Sequence, residues 1–256
     1  MPVRPNRCKS ELKSGGVLLS SSVRLPEPGL CEVLGCAGFD FVLLDGEHGA
    51  VGPAEIDRMV QGCFAGNTVP VLRVLRNDDP AAVMHALDLG VQGIMIPHCR
   101  SAGDARALRQ AALFSPAGNR GFGPGRAASW GRVPGTEFFA TANQEVLLLA
   151  LVEDPEGIER IDEIAAAELD VLWIGTGDLA LAYGVPGQPD HPRVLEAAER
   201  LVAACQKHNI AAGFPARKLA DIDWARERGF RVIGYGGAEQ YVMQMGRQFL
   251  EAAGRP

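Results

Sequence analysis

Five side chains of this sequence could do chemistry, and each follows a short apolar run or lies within one. They are Asp45, His48, Arg73, Glu153 and Asp178. Carboxylates can hold a divalent cation, imidazole can exchange a proton near neutral pH, and a guanidinium can hold a carboxylate or a developing enolate. Three more polar residues occupy comparable positions, but their spacing in the sequence does not assign them a role. They are Glu47, His98 and Asp154.

Glu153 and Asp178 form the first candidate pair. They follow successive apolar runs and are separated by one strand–helix step. Two carboxylates that face each other raise each other's pKa unless a cation lies between them. Oxygen ligands with open positions suit Mg²⁺, Mn²⁺ or a similar ion. The alternative is that each residue merely caps the helix that follows it.

Asp45 and His48 form the second candidate, a general base with the carboxylate that orients it. The alternative is a rim histidine bonded to local backbone. Arg73 lies inside the apolar run 69–74, where a lone cation is costly unless it is paired. It could pair with Asp45 or Glu153, hold substrate, or do both.

Residues 175–179, which read GTGDL, predict a turn before a helix. Such a turn presents backbone N–H groups that can bind an anion, although any tight strand–helix connection also favours glycine.

Eight short apolar runs, separated by helical patterns, must position these side chains. The runs cover residues 17–19, 41–44, 69–74, 93–96, 147–152, 171–174, 211–214 and 232–233. They do not alternate between apolar and polar residues, which is typical of parallel strands buried on both faces. Eight such units in 256 residues predict a (β/α)8 barrel, whose active site forms at the carboxyl ends of the strands. A doubly wound sheet is the alternative, but no glycine-rich nucleotide motif is present.

Helix start and stop signals accompany these runs. Asp79 and Asp154 each precede a proline, Ser101 and Asp104 have capping-box spacing, and Gly90 stands where a helix should end. By contrast, the segment 116–135 lacks helical or strand periodicity and contains Arg120, Arg126 and Arg132. A loop this long is usually functional or disordered. We expect it to cross a barrel end or to reach a neighbouring subunit, where Arg120 would contribute to that subunit's site.

Composition restricts the class of protein. With 47% hydrophobic residues, 22% charged residues and a net charge of −6, residues 1–256 predict one globular domain without a nucleic-acid surface or a basic membrane patch. The apolar runs are too short to predict a membrane span, and no apolar stretch long enough to predict a signal peptide follows the polar, basic residues 1–13. The six cysteines show no CxxC spacing, which predicts reduced, mostly buried thiols and a cytoplasmic protein.

Several segments together resemble the HpcH/HpaI aldolases, the metal-dependent class II pyruvate aldolases. The similarity extends from about residue 6 to residue 249. The segments that carry it are 37–48 (AGFDFVLLDGEH), Arg73 with Asn77 and Asp78, 96–98 (IPH), 116–121 (PAGNRG), Glu153, and 174–179 (IGTGDL) with Tyr183 and Gly184.

The resemblance implies a role for each candidate residue. Glu153 and Asp178 would ligate Mg²⁺, Mn²⁺ or Co²⁺, and His48 with Asp45 would move the proton. Arg73 would contact the keto oxygen of the substrate, and the amides of Gly177 and Asp178 would receive its carboxylate. The implied reaction is reversible aldol cleavage of a 2-keto-3-deoxy sugar acid or 4-hydroxy-2-oxo acid to pyruvate, or a close 2-oxo acid, and an aldehyde, through a metal-stabilised enolate.

The resemblance also implies a homo-oligomer, either a hexamer or a trimer, that exchanges its C-terminal helix around residues 241–250. Several positions depart from the family pattern. Leu151 replaces a glutamine, Thr176 and Ala180 replace a proline and a serine, and the region 16–20 lacks a tryptophan. These departures keep other reactions open on the same barrel, namely an oxaloacetate-type decarboxylase or a citramalyl/malyl-type CoA-thioester lyase. A catalytically silent barrel retained for binding or assembly is the alternative of another class.

Overall fold

A computed structural model describes residues 3–132 and 135–255 of the chain. Eight parallel strands close into a barrel in sequence order, which confirms the predicted (β/α)8 fold. The strands are β1 (Leu18–Val23), β2 (Phe41–Asp45), β3 (Val69–Arg73), β4 (Gly93–Ile96), β5 (Leu147–Val152), β6 (Val171–Ile174), β7 (Ala211–Ala216) and β8 (Val232–Gly237).

Helices surround the barrel. They are α1 (Arg7–Lys13), α2 (Pro28–Cys36), α3 (Pro53–Ala65), α4 (Pro80–Asp88), α5 (Ala102–Ala112), α6 (Gly135–Glu145), α7 (Pro155–Glu159), α8 (Ile161–Ala165), α9 (Thr176–Ala182), α10 (Pro192–Lys207), α11 (Ala220–Glu227) and α12 (Ala238–Ala252). Strand side chains alternate between an outer core packed against these helices and an inner core that fills the barrel.

The inner core sets the direction of the site residues. On β5 the inward side chains are Leu147, Leu149 and Leu151, and the next residue of the same parity is Glu153. Asp45 and Arg73 likewise continue the inward series of β2 and β3, and the two residues stand opposite each other in the strand register. Because side chains alternate along a strand, all three point into the mouth of the barrel.

Trp173 closes the inner core below the mouth. Its indole lies against Gly213 on β7 and Gly234 on β8. A Cβ atom at either glycine would come within 2.6 or 2.8 Å of the ring, respectively. Side chains at these two positions would therefore displace the indole, and glycine lets one tryptophan fill the width of the barrel.

Most of the predicted helix signals are confirmed. Asp79 accepts the Ala82 N–H, Ser101 and Asp104 form a capping box, and Gly90 has a φ of 100° after the end of α4. Asp154 precedes α7 but makes no side-chain cap. Its carboxylate instead binds Arg100 and the ring of His98.

The long loop folds back on its own chain. It contains a 3-10 segment at Arg126–Gly131; residues 133 and 134 of the predicted 116–135 segment lie outside the described residues. Arg120 binds Asp88 on α4 at 2.7 Å, and Arg126 binds Asp57 on α3 at 2.8 Å. The Arg120 side chain is 2% exposed, so the structure holds it inside its own subunit rather than presenting it to a neighbour's site.

The loop also lies away from the barrel mouth, because it leads from α5 towards the start of β5. A CoA-thioester lyase would need cationic side chains near the mouth to bind the CoA phosphates. Arg120 and Arg126 do not provide them, because they lie away from the mouth and are paired with carboxylates.

The cysteine prediction is confirmed in its structural part. All six cysteines are free, and five of them are buried. Among the described residues, no helix combines the length and apolar character that crossing a bilayer requires.

Candidate active site

One cavity of about 1090 Å³ opens at the carboxyl ends of the strands. All six residues that the resemblance implicated line it: Asp45, His48, Arg73, Glu153, Gly177 and Asp178. Asp45, Arg73 and Glu153 come from the ends of β2, β3 and β5, and His48 comes from the turn after β2. Gly177 and Asp178 come from the helix α9 that follows β6. The inward parity of the three strand residues and the closure of the barrel bring all six to one end of the barrel, as the barrel prediction requires.

Asp45 and Arg73 form a bidentate ion pair at one side of the cavity. Arg73 Nε lies 3.0 Å from Asp45 Oδ1, and Arg73 Nη2 lies 2.6 Å from Asp45 Oδ2. Arg73 Nη1 lies 2.9 Å from Glu47 Oε2. Burial by itself would raise the pKa of Asp45, but the hydrogen bonds and charge of Arg73 outweigh it and hold that pKa below its usual value. Arg73 is therefore fixed by two carboxylates.

His48 is not oriented by Asp45 in the way that the sequence suggested. The main-chain N–H of His48 donates to Asp45 Oδ1 at 3.1 Å, while its imidazole Nε2 lies 3.7 Å from Glu47 Oε2. Among the described residues, Asp45 makes its side-chain pairs with Arg73 and Arg24 and not with the imidazole. Register explains the difference, because Asp45 stands opposite Arg73 in the sheet.

Glu153 is a buried carboxylate, 3% exposed. Its Oε1 accepts the main-chain N–H of His98 at 2.9 Å. Burial raises the pKa of Glu153 to about 7, with further contributions from the charges of Asp178 and Glu47. The partly opposing contribution of the His98 N–H does not restore the ordinary value. A nearby cation would therefore strongly stabilise the charged form of this carboxylate.

Glu47 and His98, to which the sequence spacing assigned no role, lie next to Glu153. Glu47, His98 and Glu153 each offer a ligand atom, and these atoms lie within 4.8 Å of one another. Glu47 Oε2 is buried and accepts no well-aligned hydrogen bond from the described part of the chain. This donor set fits a divalent ion that prefers oxygen and tolerates imidazole. Asp178 lies outside the three-residue cluster but lines the same cavity as Glu153.

Different signals could have identified these two residues. Glu47 was visible in the DGEH sequence, directly beyond β2. His98 was less accessible to sequence reasoning, because its φ of 48° aims the main-chain N–H at Glu153, and no residue pattern predicts that conformation. The ring of His98 also lies 3.1 Å from Asp154 Oδ2. Asp154 therefore orients the ring at the edge of the acidic group.

The turn before α9 packs closely against Glu153. A Cβ atom at Gly175 would lie 2.4 Å from the Cβ of Glu153, so only glycine allows this approach. Gly177 and Asp178 lie in the first turn of α9, where main-chain N–H groups have no helical partner. The Asp178 carboxylate and these N–H groups thus belong to the same wall of the cavity.

Comparison with known proteins places this geometry in context. The sequence pattern of HpcH/HpaI aldolase/citrate lyase matches residues 23–244. A hydroxypyruvate/pyruvate aldolase from Pseudomonas aeruginosa is 34% identical over 261 aligned positions, which cover 100% of this chain and 94% of that protein. A 5-keto-4-deoxy-D-glucarate aldolase from Shigella boydii serotype 18 is 32% identical, with 92% of this chain and 91% of that protein covered.

Solved structures give the same result. An HpcH/HpaI aldolase/citrate lyase family protein from Burkholderia cenocepacia J2315 superposes with a TM-score of 0.91 and 29% identity, covering 97% of this chain and 99% of that one. An HpcH/HpaI aldolase from Desulfitobacterium hafniense DCB-2 superposes with a TM-score of 0.88 and 28% identity, covering 95% and 96% of the two chains.

Proposed function

The chain belongs to the HpcH/HpaI aldolase/citrate lyase family, and from that premise we propose that it is a one-domain, divalent-metal-dependent pyruvate aldolase. Its reaction is the reversible cleavage of a 4-hydroxy-2-oxo acid or a 2-keto-3-deoxy sugar acid to pyruvate and an aldehyde. The observation that carries the proposal is the buried Glu153 carboxylate, which interacts electrostatically with Asp178 and with Arg73, itself held by Asp45.

Glu153 and Asp178 would hold the ion, Mg²⁺, Mn²⁺ or Co²⁺, with Glu47 and His98 beside it. When bound, such an ion supplies Lewis-acid polarisation of the keto oxygen. The strongest support is electrostatic: Glu153 is buried, and the charges of Asp178 and Glu47 raise its pKa further. Bringing these carboxylates together costs free energy that a divalent cation offsets.

Arg73 positions the keto oxygen from the opposite side. The guanidinium has five N–H donors; Asp45 and Glu47 engage all three of its nitrogen atoms but leave N–H groups on Nη1 and Nη2 for substrate. Negative charge that develops on the substrate oxygen is therefore met by a donor already held in place, which is the condition for electrostatic stabilisation of a transition state.

His48 lies at the open side of the cavity, with a side chain that is 62% exposed. We assign it the proton of the C4 hydroxyl, directly or through one water molecule, because imidazole exchanges protons near neutral pH. The free N–H groups of Gly177 and Asp178 bind the carboxylate of the donor. Each role falls on a residue that lines the same cavity.

The floor of the cavity favours a donor with a plain methyl group. Four apolar side chains form the floor on the side of β2 to β6, namely Leu43, Met95, Leu151 and Trp173, while Ser20 lines the β1 side. A hydroxyl group buried against these four apolar side chains would lose its hydrogen bonds to water without gaining a partner. Pyruvate is therefore the expected donor, in preference to hydroxypyruvate.

Chelation tests the proposal. EDTA should abolish pyruvate release from a 4-hydroxy-2-oxo acid, and Mg²⁺, Mn²⁺ or Co²⁺ should restore it in the wild-type protein but not in Glu153→Gln. The matched control is Glu156→Gln, which removes an exposed carboxylate paired with Arg160 and should leave activity intact. Activity that persists in EDTA, or in Glu153→Gln, would exclude the metal mechanism.

We also propose a homo-oligomer, a trimer or hexamer, that exchanges α12. Large apolar side chains of α12 face solvent in the single chain: Val242, Met243, Met245, Phe249 and Leu250. Only Ala238 of this helix, all of which the structure describes, is buried. An amphipathic helix this exposed requires a partner surface. The five buried free thiols favour a reducing compartment, and we place the enzyme in the cytoplasm.

A further inference from the structure

Arg217 continues the inward series of β7. Ala211 belongs to the inner core, Gly213 lies against Trp173, and Pro215 lines the cavity. Arg217 is the next residue of the same parity and also lines the cavity. The position is therefore equivalent to that of Glu153 beyond β5, directly above the inner core at the barrel mouth.

The guanidinium of Arg217 has no carboxylate partner among residues 3–132 and 135–255. Only its main-chain N–H is engaged, by Asp221 Oδ2 at 2.9 Å. The neighbouring Lys218, of opposite parity, has Nζ 3.7 Å from carboxylate oxygens of both Asp190 and Asp221. Lys218 is therefore paired with carboxylates at the surface, whereas the side chain of Arg217 lines the cavity without a carboxylate partner.

Of the three other arginines that line the cavity, two are paired with carboxylates. Arg73 is held by Asp45 and Glu47, and Arg24 lies 3.2 Å from Glu239 and 3.8 Å from Asp45. Arg247 lacks a described partner too, but it lies on α12, whose final position depends on oligomerisation. Arg217 is therefore the available cation that a barrel strand itself positions.

Arg217 also lies beside the first turn of α9, which contains Gly177 and Asp178. Its Nη2 is 3.2 Å from the position that a Cβ atom at Gly177 would occupy. The guanidinium therefore lies on the side of Gly177 where a side chain would stand, and the N–H of the same residue is proposed to bind the donor carboxylate. Main-chain amides offer hydrogen bonds without a net charge, whereas a guanidinium adds a full charge and several donors.

We propose that Arg217 is a second anchor for the carboxylate of the 2-oxo acid donor, acting with the amides of Gly177 and Asp178. This inference rests on the proposed function. A donor anion must enter a cavity already crowded by the carboxylates of Glu153, Glu47 and Asp178, and an unpaired guanidinium at the entrance to the turn offsets that repulsion.

Direct binding of pyruvate tests the role of Arg217. Calorimetry on the Mg²⁺-loaded protein should show a pyruvate Kd about tenfold higher in Arg217→Gln than in the wild type, the lower end of the range for a hydrogen bond to a charged group. Arg217→Lys should recover part of the lost pyruvate affinity, because lysine keeps the positive charge but lacks the planar pair of N–H donors of the guanidinium. Lys218→Gln, the matched control, should bind like the wild type.

Steady-state kinetics separate the donor from the acceptor. In Arg217→Gln the KM for pyruvate should rise, while the KM for a neutral acceptor such as glyceraldehyde stays unchanged. An unchanged Kd for pyruvate would overturn the inference about Arg217 and leave the proposed function standing. A rise confined to the KM of an anionic acceptor such as glyoxylate would also overturn it. A wild-type protein that binds no pyruvate would refute both proposals.

Discussion

The buried pair of Asp45 and Arg73 allows a quantitative prediction, because replacing Asp45 with Asn changes charge but little volume. The Asp45 side chain is 3% exposed and that of Arg73 is 13% exposed. Asn can still accept the N–H groups of Glu47 and His48 through Oδ1, but its NH₂ group would face the Nη2 donor of Arg73. Removing one member of a buried ion pair costs about 3–5 kcal/mol. Since Glu47 remains as a partner of Arg73, we expect about 3 kcal/mol.

A double-mutant cycle measures the interaction free energy between Asp45 and Arg73 separately from the other effects of each substitution. The free energy of unfolding is determined in urea for the wild type, Asp45→Asn, Arg73→Met and the double variant, at one protein concentration. We expect a coupling of about 2 kcal/mol or more between the two sites, because the Asp45→Asn change harms the protein chiefly through the arginine. Effects that add to within about 0.5 kcal/mol would refute this account of the pair.

The same variant has a defined pH dependence. The pKa of Asp45 is held below its ordinary value of 3.8, so its charge contributes stability above that value, and the contribution is lost as the pH falls through the lowered pKa. The stability difference between wild type and Asp45→Asn should therefore be complete at neutral pH and shrink in strong acid. A difference that grows on acidification would contradict the sign.

Three further predictions test other parts of the cavity. Gly175→Ala should weaken metal binding about tenfold or more, because the added Cβ would displace Glu153. Gly29→Ala is the control, since its Cβ would meet open space. Equal metal affinities of the two variants in a calorimetric titration would show that the close packing against Glu153 is unimportant. Leu151→Gln should raise kcat/KM for hydroxypyruvate relative to pyruvate about tenfold by offering a polar partner, and an unchanged ratio would refute the apolar-floor argument. Phe249→Asp, at a side chain that is 72% exposed, should dissociate the oligomer in light scattering; an unchanged mass would argue against α12 as the interface.

The strands were predictable where the sequence is continuously apolar. The bounds of β4, β5 and β6 agree with the predicted runs, because their side chains are buried on both faces. β1 and β8 extend beyond the predicted 17–19 and 232–233 into Ser20–Ser22 and Gly234–Gly237. These polar or side-chain-free residues line the mouth, where the barrel has no apolar core to signal a strand.

Positions in the site were easier to predict than partners. Adjacent strand ends brought Glu153 and Asp178 to one cavity, but the choice of Arg73 over His48 as the partner of Asp45 depends on strand register, which spacing does not reveal. The role of His98 depends on one unusual backbone conformation. The 116–135 loop carried no periodicity, so its ion pairs to α3 and α4 could not be read from the sequence.

The most direct test of the account is anomalous diffraction from crystals soaked in Mn²⁺ and pyruvate. We expect one anomalous peak at the barrel mouth, coordinated by carboxylate oxygens of both Glu153 and Asp178, and its loss in Glu153→Gln. A peak bound by Glu47 and His98 without Asp178, or no peak within reach of either carboxylate, would contradict the central claim.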